Sequence, residues 1–168
     1  MNSTSTSTGT LRVTDAGTTI AFERRLAHPI DRVWAALTDP DERAGWFGPT
    51  TIDPREGGTV ETIAEGPPAS ETMRTLTGRI LVWDPPHVLE HEWQQTPIGF
   101  STVRYELRAE GDDTILRLTH HLGSAGSASG YIPGEHAYLD RLQAHLEGAP
   151  LPDWTARYDE VQHLYSSP

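Results

Sequence analysis

The chain has 168 residues, 36% hydrophobic and 22% charged, a balance that suits one globular domain with a core of ordinary size and not a disordered chain. Thirteen basic against 24 acidic residues leave a formal charge of -11; so few cations to displace counterions from phosphates argue against nucleic acid and against an anionic membrane surface as partners. Cysteine and lysine are both absent, which removes disulfides, thiolate metal sites, cysteine nucleophiles and Schiff-base chemistry.

Residues 1–10, mostly Ser and Thr, have neither a basic start nor an apolar stretch. They read as a disordered polar tail before one domain over 11–165, not as a secretory signal. No apolar run approaches the ~20 residues that a bilayer demands, so a cytoplasmic location follows by default. The first strand is expected over 18–26. Pro29 then suits the first turn of a helix, and Ile30, Val33, Trp34 and Leu37 fall on one stripe at helical spacing. Asp39 and Pro40 open a second short helix toward Gly45 with an acidic cap and a proline at its first position.

From residue 50 onward the period becomes that of strands. Alternation marks 58–64, and a Gly/Pro turn follows at 66–68. Strands are expected over 73–83, 88–94, 102–109 and 114–121, with turns at 84–86, 96–99 and 111–113. No crossover helices separate them, which makes the sheet an antiparallel meander. The segment 123–130 carries almost no side-chain bulk and reads as a mobile connector, able to gate a cavity or simply to link two elements. A helix over 133–147 shows Tyr138, Leu139, Leu142 and Leu146 on one face, with Gly148 as its C-terminal cap. After Pro150 and Pro152 a last amphipathic helix carries Trp154, Tyr158, Val161 and Tyr165. The whole is α+β: a bent antiparallel sheet wrapped around a long C-terminal helix, with two short helices after the first strand.

The run HPIDRVWAALTDP at 28–40, followed by GWFGP at 45–49, resembles the start of the START-like (SRPBCC) domains, and more narrowly the branch named after the activator of the heat-shock protein 90 ATPase. EGGT at 56–59, Gly78 with DPP at 84–86 and Trp93, TILRLTH at 114–120 and HAYLDRLQAHLEG at 136–148 agree with it. The resemblance implies a helix-grip fold with a cavity between sheet and C-terminal helix. It also implies a range of roles: lipid and hormone binders, polyketide cyclases, co-chaperone domains, and resistance proteins that sequester enediyne antibiotics. Such a family constrains fold more than function. One departure is GYIPG at 130–134, where relatives often carry a Gly-Trp pair leading into the last helix, so a pocket shape cannot be copied from them.

Strand parity says which side chains look inward. Leu89, His91 and Trp93 share a face, as do Val103, Tyr105 and Leu107, and Leu116, Leu118 and His120. Apolar walls with a few hydrogen-bonding groups are the composition of a ligand pocket, and plain core packing is the alternative for each residue taken singly. The candidate ligand-binding set is Trp34, Trp46, His91, Trp93, Tyr105, His120 and Tyr138. Trp34, Trp46 and Phe47 are read as wall or rim, with core packing favoured for Trp34.

No metal site is expected among the eight histidines. His120 and His121 point to opposite faces, His87 and His91 stand about 13 Å apart along a strand, and His136 and His145 are nine residues apart on a helix. Neither a nucleophile elbow nor a phosphate-binding glycine motif occurs, and Ser101 and Ser124 have no evident partner in sequence. No cofactor and no catalytic residue is assigned. Three functions stay open: binding or sequestration of a small, largely apolar molecule; a cyclase or dehydratase acting through His91 or His120 with Tyr105 orienting the substrate; and an interaction module for a heat-shock protein 90 ATPase. The mixed aromatic and aliphatic inner face favours the first.

Overall fold

The computed structural model describes residues 8–95, 99–123 and 125–165. Its strands are β1 (Thr10–Thr14), β2 (Gly17–Leu26), β3 (Thr50–Ile52), β4 (Thr59–Ile63), β5 (Thr75–Asp84), β6 (Val88–Gln95), β7 (Gly99–Glu110) and β8 (Asp113–Leu122). Its helices are α1 (Ile30–Thr38), α2 (Pro40–Ala44), α3 (Glu71–Arg74), α4 (Ala125–Glu147) and α5 (Trp154–Gln162). The strands form one antiparallel sheet in the order β1-β2-β8-β7-β6-β5-β4-β3.

The alternation read from the sequence is the one the sheet uses. Across neighbouring strands Leu89 lies opposite Tyr105, and Tyr105 opposite Leu118. His91 lies opposite Val103, and Val103 opposite His120. All of these are buried, beside Ile20 and Phe22 of β2 and Leu139 and Leu142 of α4. Burial of this apolar surface, worth roughly 25 cal/mol per Å², is what curls the sheet onto α4. A salt bridge of 3.0 Å between Arg24 of β2 and Asp140 of α4 fixes the helix across the concave face.

Local signals account for most element ends. The Asp39 carboxylate accepts from the Asp41 backbone N–H at 2.8 Å and starts α2, and Asp153 does the same for α5 through Ala156. Gly148 adopts φ +68 after α4, a left-handed cap that glycine takes without strain. Gly78 is needed for another reason: a Cβ there would stand 1.7 Å from the Glu92 carbonyl oxygen, where β5 and β6 approach each other beside a bulge.

Several elements differ from the sequence reading. Residues 73–74 belong to α3, not to the following strand, because Ser70 caps a turn of helix through its hydroxyl and the Met73 N–H. The short edge strands β1 and β3 carry no clear alternation and were not expected; Thr10, counted with the tail, opens β1, while residues 1–7 lie outside the described residues. The turn expected at 96–99 falls mostly outside them as well. The largest correction concerns the connector at 123–130. Ser124 lies outside the described residues, but α4 starts at Ala125, so residues 125–130 are its first turns and Pro133 sits inside the helix. A proline that lacks its N–H ordinarily ends or kinks a helix, which is why 133 looked like a beginning. Tertiary bonds outweigh propensity here: the Tyr158 hydroxyl donates to the Gly130 carbonyl at 3.3 Å, and the Tyr131 hydroxyl to the Gln95 side chain at 2.9 Å.

Candidate functional site: an aromatic cavity beneath helix α5

A cavity of about 500 Å³ opens at one end of the sheet, where α4, α5 and the loop through Gly66, Pro67 and Pro68 meet. Trp93 of β6 and Phe47, just after α2, supply one side of the lining. Tyr131 and Tyr138 of α4 supply a second, and Trp154 and Tyr158 of α5 a third. The rings touch in series: Phe47 to Tyr138 at 4.6 Å, Tyr138 to Trp154 at 5.8 Å, Trp154 to Tyr158 at 5.0 Å, and Trp93 to Tyr131 edge-on at 6.0 Å. Gly66 has no side chain because Trp154 leaves no space for one; a Cβ would lie 2.3 Å from the indole ring.

Hydrogen bonds hold these rings in place. The Gln95 carbonyl accepts from the Trp93 indole N–H and from the Tyr131 hydroxyl, each at 2.9 Å, while its amide donates to the Met73 carbonyl at 2.8 Å. The Tyr138 hydroxyl accepts from the Gly66 N–H and donates to the Gly66 carbonyl, which ties α4 to the loop. The Trp154 indole donates to the Gly134 carbonyl at 3.2 Å. A ring array fixed by its polar edges is preorganised and needs little ordering when a guest enters. Burial raises the phenol pKa of Tyr131 and of Tyr138 above the ordinary value, so both stay neutral donors.

One charged group is built deep into this wall. Glu135 of α4 lines the cavity yet is only 6% exposed. Its Oε2 pairs with Nδ1 of His120, whose Nε2 lies 2.8 Å from the Ser101 hydroxyl. Ser101 thereby gains the partner that sequence did not reveal. The order Ser, His, Glu is that of a nucleophilic relay, but Ser101 lies in β7 outside the cavity lining and also stands 3.2 Å from the Trp93 carbonyl. The chain of bonds therefore runs inward from the cavity and serves to orient Glu135. The Glu135 Oε1 atom has no partner among the described residues.

A model of the family described as "Activator of Hsp90 ATPase homolog 1-like protein" matches residues 27–147, well over half of the chain. The chain belongs to that family. The helix-grip architecture of its Hsp90-activator-like relatives is shared with solved structures. CalU16 from Micromonospora echinospora is 28% identical, with a TM-score of 0.72, covering 94% of this chain and 92% of its own. The protein encoded by gene BPP1335 of Bordetella parapertussis is 28% identical, with a TM-score of 0.69, covering 98% and 94%. DynU16, from the dynemicin biosynthetic locus, shares the fold at 20% identity and a TM-score of 0.67, covering 79% of this chain and 48% of its own. A search of curated proteins gives no match.

In this member of the Activator of Hsp90 ATPase homolog 1-like family, the seven residues singled out from sequence scatter over three environments. Trp93 and Tyr138 line the main cavity. Trp46 and Tyr105 do not; with Glu135 they border a separate void of about 20 Å³, room for about one water. His91 and His120 face inward as parity requires, but both are completely buried and neither lines either of these two spaces. His91 donates Nδ1–H to the Glu92 carbonyl at 2.9 Å, and burial, with the nearby Arg43 charge, lowers its pKa to about 4. Trp34 packs on Trp83 at 5.3 Å, away from both spaces. These five do not line the main cavity, and for one cause: the middle of the sheet is filled by side chains, and this open space lies at its end. Gln95, Tyr131, Glu135, Trp154 and Tyr158 escaped the sequence reading. Trp154 and Tyr158 were visible as one apolar face of the last helix; Glu135 was the lone carboxylate on the buried stripe of α4.

Proposed function

We propose that the chain binds a small, largely apolar, ring-containing molecule in the cavity bounded by α4, α5 and the 66–68 loop. The observation that carries this reading is a space of about 500 Å³ walled by six aromatic rings whose polar edges are already bonded to the protein. That volume and lining are those of ligand sites in general. The family is consistent with a ligand-binding or cyclase-like role, and the position of DynU16 in the dynemicin biosynthetic locus suggests polyketide-like molecules as the first panel. Turnover through His91 or His120 is not part of the proposal, since neither borders the cavity. A chaperone partner is not part of it either, because an aromatic cavity between elements, not a flat surface, supports the reading.

The test is an amide-shift titration against polycyclic polyketides and other hydrophobic metabolites. Saturable shifts confined to Trp93, Tyr131, Tyr138, Trp154 and Tyr158, lost in Tyr131→Ala, are the expected result. Shifts spread over the outer face of the sheet, or none with any compound, would sink it.

A further inference from the structure

Resting on that reading of the cavity, we infer that its guest carries a positive charge, and that Glu135 is the residue that selects a protonated amine on an aromatic ring system. The charges on the wall are of one sign. Glu135 and Asp159 are the titratable carboxylates among the described lining residues, and no arginine or histidine joins them. The chain has no lysine to supply a cation from elsewhere.

The nearby arginines are not among the described lining residues, and each donates to protein oxygens. Arg141 gives Nε to the Trp46 carbonyl at 2.9 Å and Nη1 to the Pro152 carbonyl at 2.7 Å. Arg74 gives Nη1 to the Ala64 carbonyl at 2.6 Å and Nε to the Ala69 carbonyl at 3.0 Å. Arg43, fully buried, spends its guanidinium on the Leu37 carbonyl and the Thr62 hydroxyl.

Glu135 itself is incompletely satisfied. One oxygen is held by His120, while Oε1, with essentially no exposed surface, has no donor among the described residues. A buried carboxylate oxygen without a donor is costly, and a guest ammonium would provide the missing donor. The aromatic faces beside it act in the same direction, since ring quadrupoles attract cations within about 6 Å of the centroid. Trp93 and Tyr131 both flank His120, each with its ring centroid 5.0 Å from the imidazole, which places two such faces around the carboxylate's partner.

Three flat tricyclic probes of similar footprint test this by calorimetric titration at neutral pH: 9-aminoacridine as the cation, 9-anthracenemethanol as the neutral compound and anthracene-9-carboxylate as the anion. The expected order is cation over neutral by about tenfold or more in Kd, the scale of one charge-assisted hydrogen bond, with the anion weakest. Glu135→Gln keeps an acceptor for His120 Nδ1–H and should erase the preference, bringing the cation-to-neutral ratio of Kd close to one. If that variant fails to fold, the wild-type ratio together with Asp159→Asn, at an exposed position on α5, decides: a cation preference in the wild type, undiminished or partly reduced in Asp159→Asn, upholds the inference. Equal binding of cation and neutral probe in the wild type, or a preference that survives Glu135→Gln, overturns it while leaving the cavity reading intact; a water in the small void would then be the donor to Oε1. Failure of all three probes to bind overturns both.

Discussion

His91 sits in the middle of β6 with its ring enclosed on every side, 6.3 Å from Tyr105. Nδ1–H is committed to the Glu92 carbonyl, and Nε2 has no partner among the described residues. Protonating Nε2 would bury an unmatched N–H and a charge close to Arg43 and His120, which is why the pKa falls from 6.5 to about 4. The unfolded chain therefore takes up its proton first as pH drops. Stability from this group is complete above about pH 6.5 and is lost between 6.5 and 4. Between pH 7 and pH 5 the loss should be on the order of 2 kcal/mol. His91→Asn retains a donor for the Glu92 carbonyl but cannot titrate, so urea unfolding at the two pH values should show a smaller drop than in the wild type. The slope that remains belongs in part to His136, whose pKa burial also lowers to about 4 despite Asp140 nearby. An unchanged slope in His91→Asn would mean that His91 is already protonated, or solvated, in the native state.

At the scale of elements, α5 acts as a strap over the cavity. Arg157 binds Asp140 of α4 at 2.7 Å, on the same carboxylate that holds Arg24 of β2, and Trp154 and Tyr158 hydrogen-bond to carbonyls of α4. The strap closes only because Gly66 lets the Trp154 ring lie flat against the loop. Gly66→Ala would push a methyl into that ring. The expected cost is about 1–3 kcal/mol of stability, the usual range for overpacking, together with weaker ligand binding, because the indole is displaced into the space the guest would use. Thermal unfolding and titration of any bound probe measure the two effects; full stability with full affinity would show that α5 is free to back away.

The same contacts explain what the sequence could and could not disclose. Which strand residues face inward was legible, because alternation is a local property: Leu89, His91 and Trp93 needed only their own strand to be assigned. The helical stripe from Ile30 to Leu37 and the caps at Asp39 and Gly148 were legible for the same reason. The position of the open space was not, since it depends on α4 running past Pro133 and on α5 folding back over it, both decided by contacts distant in sequence. Inwardness was therefore readable while cavity-facing was readable only in part: Trp93 and Tyr138 line the space, His91 and His120 are inward and sealed, and Trp154 and Tyr158, far from the sheet in sequence, form a wall.

For the molecule as a whole, the sheet and α4 form a filled body and the cavity is closed by a short terminal helix, so a guest should stabilise the parts unequally. Amides of α5 exchange by local release of the strap, and that release destroys the site. At a ligand concentration about a hundredfold above Kd, mass action adds about 2.7 kcal/mol to any opening that abolishes binding, which corresponds to exchange slowed by roughly a hundredfold. The outer strand β1, with every residue exposed and β2 as its one partner, can fray without touching the cavity and should exchange at its original rate. Hydrogen exchange followed residue by residue separates these responses in one experiment. Slowing concentrated in α5 and around 66–68 locates the guest beneath the strap; equal slowing in β1, or none in α5, would mean that the bound molecule sits on some other surface.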